Sequence, residues 1–194
     1  MVVLLAINPS TRETGWAVFS GDPYPNRPRG AAQWSDGSTL PSSVERVQAH
    51  PHWQLVDTGV ITAHCRNRRM VVEERIKAIE TELDRISEMW RPYDVACGNP
   101  FLVQLSHQQE GLEVVCNALK RWGQVRSLPI YSYSVREIKS AILGRHNGAG
   151  KELTYAMMTR WGLLGTEKTT HELKAISVGD YHLVRQKMAT DIEF

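Results

Sequence analysis

The sequence predicts an α/β domain: a five-stranded mixed sheet, three antiparallel strands followed by two parallel ones, with helices on both faces. Three observations carry this. Val2 to Ile7 is an unbroken apolar run, the mark of a strand buried on both faces. Two more strand-like stretches, W-A-V-F at 16–19 and W-Q-L-V-D-T-G-V-I-T at 53–62, follow before any helical pattern begins. Beyond them, helical stripes alternate with short apolar runs, which calls for crossover connections and parallel pairing.

The first strand ends at Asn8, where Pro9 stops the ladder. A polar side chain at the end of a central strand lies where open α/β sheets put their chemistry. T-R-E-T-G then supplies a turn into the second strand, hairpin fashion. Residues 20–51, around G-D-P-Y-P-N-R-P-R-G, form an irregular insertion without the apolar residues for a core of their own. The chain is thus read as one domain over residues 1–194. Val72, Ile76, Ile79, Leu83, Ile86 and Trp90 make one apolar helical stripe, which Pro92 ends. D-V-A-C-G at 94–98 is a buried strand parallel to the first. Ser106 and Gln109 then form a capping box for a helix over 106–122, carrying Leu112, Val115, Leu119 and Trp122 and ended by Gly123. L-P-I-Y-S-Y at 128–133 is the fifth strand. Ser134 with Glu137 caps a short helix that Gly144 stops, and R-H-N-G-A-G leads into a helix with Leu153, Met157 and Trp161. Thr169 with Glu172 caps the last helix, which runs to about Met188.

With 194 residues and 42% apolar content, the chain can bury a sizeable core. A net charge of +2 does not mark a nucleic-acid binder by composition, so any basic surface must come from local clustering. No stretch has the length of a membrane span, and the N-terminus lacks the pattern of a signal peptide. Cys65, Cys97 and Cys116 are odd in number and far apart, which argues for reduced thiols and a cytoplasmic protein. H-P-H at 50–52 and H-C at 64–65 flank the third strand, but their spacing fits no standard zinc finger.

The element order is that of an RNase H-like fold. L-L-A-I-N-P-S-T-R-E-T-G-W-A-V (4–18), Y-D-V-A-C-G-N-P-F (93–101), the segment I-Y-S-Y-S-V-R-E-I-K through G-A-G-K-E (130–152) and H-E-L-K-A-I-S-V-G-D-Y-H (171–182) resemble four segments of the RuvC-type Holliday-junction resolvases. The resemblance implies a branched-DNA ligand. In that family it also implies two-metal phosphodiester hydrolysis, with carboxylates and an imidazole holding paired Mg²⁺ or Mn²⁺ ions.

At the positions where the family carries those ligands this sequence has Asn8, Gly98, His171 and Lys174. Only His171 keeps an accepted ligand type. An ammonium within ~4 Å of a divalent ion is opposed by roughly 8 kcal/mol, twice the value for unit charges at the same effective dielectric. Asp94, Glu172 and Asp180 are the carboxylates that could rebuild such a metal site. Asp94 is four residues before Gly98, roughly 13 Å along a strand. Glu172 points about 100° away from His171 on the helix, and Asp180 is more than two turns beyond. Their simpler readings are a strand-start charge, a capping-box acid and a solvated or salt-bridged helix residue. No catalytic residue, metal or other cofactor is therefore expected; an active protein would use Mg²⁺ or Mn²⁺.

The binding equipment persists. Phe101 falls where the family places an aromatic at the opened junction, although a core phenylalanine would read alike. Lys139 and Lys151 match its basic positions, with Arg136, Arg145 and His146 around them and glycines that let backbone amides approach phosphate. The helix over 106–122, with Leu112, Val115, Cys116 and Leu119, resembles the family's dimer-forming helix, and a core-facing stripe would look the same. The reading is a homodimeric, RuvC-like protein that binds four-way or other branched DNA in recombination and repair without cleaving it. The alternatives are a Mg²⁺-dependent junction nuclease with a rearranged site, and a non-catalytic partner subunit of a recombination complex.

Overall fold

The computed structural model describes residues 1–10, 12–21, 52–62, 72–99, 108–145 and 147–190. Along the chain these form β1 (Val2–Asn8), β2 (Glu13–Gly21), β3 (Trp53–Thr62), α1 (Val72–Trp90), β4 (Asp94–Asn99), α2 (Gln108–Val125), β5 (Ile130–Ser134), α3 (Val135–Leu143), α4 (Gly150–Arg160) and α5 (Thr170–Thr190). The strands make one five-stranded sheet in the order β3-β2-β1-β4-β5. β1 pairs antiparallel with β2, β2 antiparallel with β3, and β1 parallel with β4, which is parallel to β5. The expected RNase H-like arrangement is therefore present, with the unbroken apolar strand at its centre.

Side chains of β1 alternate between two cores, as the two-residue period of a strand requires. Leu4 and Ala6 join Ala17, Phe19 and Ala96 under α5, where Ala175, Ile176 and Val178 close the layer, with Ile138 and Met157 from α3 and α4 beside them. Leu5 and Ile7 join Trp16, Val18, Val95 and Cys97 under α1 and α2. The predicted α1 stripe delivers Ile79, Leu83 and Ile86 to this second core. α1 and α2 are clasped at their outer edge, where Asp84 accepts a hydrogen bond from Trp122 Nε1 at 2.7 Å and pairs with Arg126.

Several boundaries differ from expectation. β2 begins at Glu13 rather than Trp16 and continues through Ser20 and Gly21, so the pairing absorbs residues assigned to the turn and to the insertion. The rest of the insertion, 22–51, lies outside the described residues, as do Cys65, His64, Ser106 of the proposed capping box, and His146. Gly123 does not end α2; it lies within the helix, where a Cβ would come 2.3 Å from Ile130 Cδ1. Its small size serves helix–strand contact rather than termination. The α2 stripe read as a dimer surface faces the chain's own core: Val115, Cys116 and Leu119 are buried and Leu112 is half-buried. The face of α2 left to solvent carries Glu113, Val114, Asn117 and Lys120 instead.

Two predicted caps are present in full. Ser134 Oγ accepts from the Glu137 amide while Glu137 accepts from the Ser134 amide, and Gly144 closes α3 in the left-handed conformation at φ 68°. Thr169 and Glu172 exchange the same pair of bonds before α5. No helix among the described residues is long and apolar enough to cross a membrane.

Candidate functional site

The carboxyl ends of the parallel strands converge with the start of α5. Asn8 pairs with Gly15 of β2, and Ile7 with Cys97, so the next step sets Asn8 beside Gly98. Gly98 in turn pairs with Tyr133 of β5. A row of Gly15, Asn8, Gly98 and Tyr133 thus crosses four strands on the face covered by α5. A Cβ at Gly15 would lie 2.0 Å from the His171 carbonyl oxygen, so the first turn of α5 rests directly on this row. A Cβ at Gly98 would lie 3.2 Å from Val178 Cγ2 and 3.6 Å from Asn8 Oδ1. His171, Lys174 and Val178 follow steps of three and four and so share the stripe of α5 that spans the row. Asn8 and Gly98 thus lie side by side beneath the stretch of α5 that carries His171 and Lys174.

Their chemistry is mixed. His171 Nε2 lies 3.2 Å from Glu13 Oε2, while its Nδ1 is buried without a hydrogen-bond partner among the described residues. Glu13 escaped the sequence reading because T-R-E-T-G looked like a turn. The signal that reveals it is alternation: Glu13, Gly15, Ala17 and Phe19 share one face of a strand. Lys174 is half-buried and makes no ion pair with another described residue. Among the described residues, no three Asp, Glu, His or Cys side chains converge closely enough to hold a metal ion.

The carboxylates that could rebuild such a site are engaged elsewhere. Asp94, at the far end of β4, accepts from Gln186 Nε2 at 2.9 Å and lies 3.8 Å from His182 Nε2. His182 also shares a 2.8 Å hydrogen bond with the Tyr133 hydroxyl through Nδ1. Asp180 follows the salt-bridged of its two readings: it is fully buried, paired with Arg160 and, at 3.1 Å, accepting from Trp161 Nε1. Glu172 accepts from the Thr58 hydroxyl at 2.6 Å, from the Thr169 amide and from Lys168. Burial pushes the Glu172 carboxyl up, but the bonds from Thr58, Thr169 and Lys168 together outweigh it and hold the group below its ordinary value.

The basic residues lie on the next segment. α3 begins where β5 ends, with Ser134 paired to Asn99, so Arg136 starts from the same sheet edge as Asn8 and Gly98. Arg136 is exposed beside an open groove of about 390 Å³, which Glu137, Ser140, Ala141 and Tyr181 also line. Lys139 follows one turn later, half-buried. Lys151 is exposed in the first turn of α4, which packs against α3. Arg145 is paired with Glu152 at 2.6 Å on the surface, which offsets part of its charge. Phe101 lies outside the described residues. On the opposite face of the sheet, Cys97 and Cys116 line a cavity of about 280 Å³ with Asn99, Lys120 and Ser132.

No family model matches the chain. Over 184 residues it is 23% identical to the crossover junction endodeoxyribonuclease RuvC of Chlorobium phaeovibrioides, covering 95% of this chain and 82% of that protein. The RuvC of Chlorobium chlorochromatii is 28% identical, with 89% and 73% covered. Among solved structures, Thermus thermophilus RuvC superposes with a TM-score of 0.70 at 17% identity, covering 97% of this chain and 98% of that one. The fold is that of RuvC. The same Thermus protein in complex with a Holliday junction substrate gives a TM-score of 0.71, with 98% of each chain covered. The likeness to RuvC-type resolvases read from the four sequence segments thus extends across the structure.

Proposed function

We propose that this protein binds Holliday junctions or related branched DNA along the carboxyl edge of its parallel strands, and that it does so without metal-dependent cleavage. The binding half rests on the RuvC fold and on Arg136 at that edge, with Lys139 one turn on and Lys151 in the first turn of the adjoining α4. Phosphate contacts of this kind position DNA without reading its bases, which suits a ligand known by shape. The second half rests on one observation: Asn8 and Gly98 adjoin beneath the α5 stripe of His171 and Lys174, and the four offer an amide, no side chain, an imidazole and an ammonium. Magnesium takes hard oxygen ligands, mostly carboxylates, and this donor set does not fit a pair of such ions.

A rearranged nuclease is the second reading, and Glu13 is what favours it. Its carboxylate beside His171 supplies one oxygen and one nitrogen donor at the site. A labelled four-way junction incubated with the protein in Mg²⁺ or Mn²⁺, run on native and denaturing gels, separates the two. A retarded band with intact strands is expected. Nicked strands that disappear in the Glu13→Gln variant would establish the rearranged nuclease instead.

A further inference from the structure

We propose that Lys174 binds a DNA backbone phosphate directly, with Asn8 as a second hydrogen-bonding group for the same phosphate; this rests on the DNA-binding reading above. The stripe carrying Lys174 is pinned at both ends. At one end the His171 carbonyl presses on Gly15, and at the other Val178 meets the open side of Gly98. Lys174 lies between them, one turn from each, over the row that contains Asn8.

Two other basic groups packed along α5 have acids to answer them. Arg160 has Asp180, and Lys168 has Glu172. Lys174 is half-buried on the same helix and pairs with no described carboxylate. The carboxylate at this rim, Glu13, is taken up by His171 at 3.2 Å. The sheet row beneath this stripe carries an amide at Asn8 and no side chain at Gly98, so it offers the Lys174 charge no anion of its own. An Asn side chain can donate through its NH₂ group, and an ammonium offers three donors, so together they suit the unesterified oxygens of a phosphodiester. The same change that repels divalent metal thus makes the site attractive to the DNA backbone, and binding there needs no divalent ion.

The test measures junction affinity of the full chain by fluorescence anisotropy in EDTA, over a series of salt concentrations. Lys174→Gln should weaken binding on the order of tenfold, the value of one charge-assisted hydrogen bond. It should also lower the slope of log K against log salt by about one. Lys174→Arg should restore most of both, and melting temperatures of the two variants identify any loss that comes from misfolding. If the parent binds junctions and Lys174→Gln matches it in affinity and slope, the Lys174 assignment is overturned while DNA binding stands. If the parent binds no junction, the DNA-binding reading fails. Titrating the parent with the dinucleotide thymidylyl-thymidine, while following the Lys174 ammonium by NMR, then decides the phosphate site alone. A shift in that signal supports it, and an unmoved signal overturns it.

Discussion

A methyl group at Gly15 would have nowhere to go, because the backbone of α5 occupies its place. The would-be neighbour is the His171 carbonyl at 2.0 Å, which cannot rotate aside as a flexible side chain would. Overpacking of a close contact costs about 1–3 kcal/mol, and more when backbone must move. A domain of this size loses roughly 2–4 °C per kcal/mol. Gly15→Ala should therefore melt roughly 2–12 °C below the parent in a thermal denaturation. It should also loosen the seat of His171 and Lys174, so DNA affinity should fall with it even at temperatures where the variant is folded. A variant as stable as the parent would show that α5 does not rest on β2 in this way.

At the scale of elements, local signals in the sequence marked most boundaries, because those boundaries are made by local chemistry. Ser134 with Glu137 and Thr169 with Glu172 are reciprocal side chain-to-backbone pairs within four residues, so their spacing alone announces them. Gly123 misled because a glycine needed for close packing against Ile130 is spelled the same as one that ends a helix. The buried Asp180 and the contact between Glu13 and His171 were beyond local patterns, since each is made by residues that only the folded chain brings together. Glu172 links the two kinds of information, capping α5 and binding Thr58 of β3 at once. Its carboxyl sits below the ordinary value of 4.5, so its contribution is fully present above that pH and drains away as pH falls through the lower folded value. Glu172→Gln should accordingly be less stable than the parent at pH 7. The gap in melting temperature should shrink as pH falls below 4.5 and through the lowered value of the folded carboxyl, where the parent's own group becomes protonated. A gap that stays constant with pH would remove the ionised carboxylate from the account.

For the whole molecule, the sheet is a frame that sets Asn8 and Gly98 side by side under α5, whatever side chains stand there. Building a carboxylate metal site on that frame asks for more than carboxylates. Asn8→Asp, Gly98→Glu and Lys174→Asp, with His171 kept, would supply three carboxylates and one imidazole. A side chain at position 98, however, starts 3.2 Å from Val178 Cγ2. Adding Val178→Ala should relieve that contact, so the fourfold variant should bind Mn²⁺ more tightly in calorimetry than the threefold one, and both more tightly than the parent. No single replacement should match them, because each leaves the metals short of oxygen donors and all but Lys174→Asp leave the repelling ammonium. A parent that already takes up two Mn²⁺ ions would contradict the reading of this site.

The cavity behind the sheet offers a different kind of access to the protein. Burial pushes the Cys97 thiol far above its ordinary range and raises Cys116 to about 11, so neither is thiolate at neutral pH. The thiolate is the reactive form, and both sulfurs belong to residues less than a tenth exposed. With Cys65→Ser silencing the third thiol, the two act as a clock that runs only when α2 lifts from β4. Maleimide should label them in native buffer at the opening rate of that layer rather than at the rate of a free thiol. Comparing that rate with and without junction DNA would show whether a ligand on one face of the sheet steadies the other.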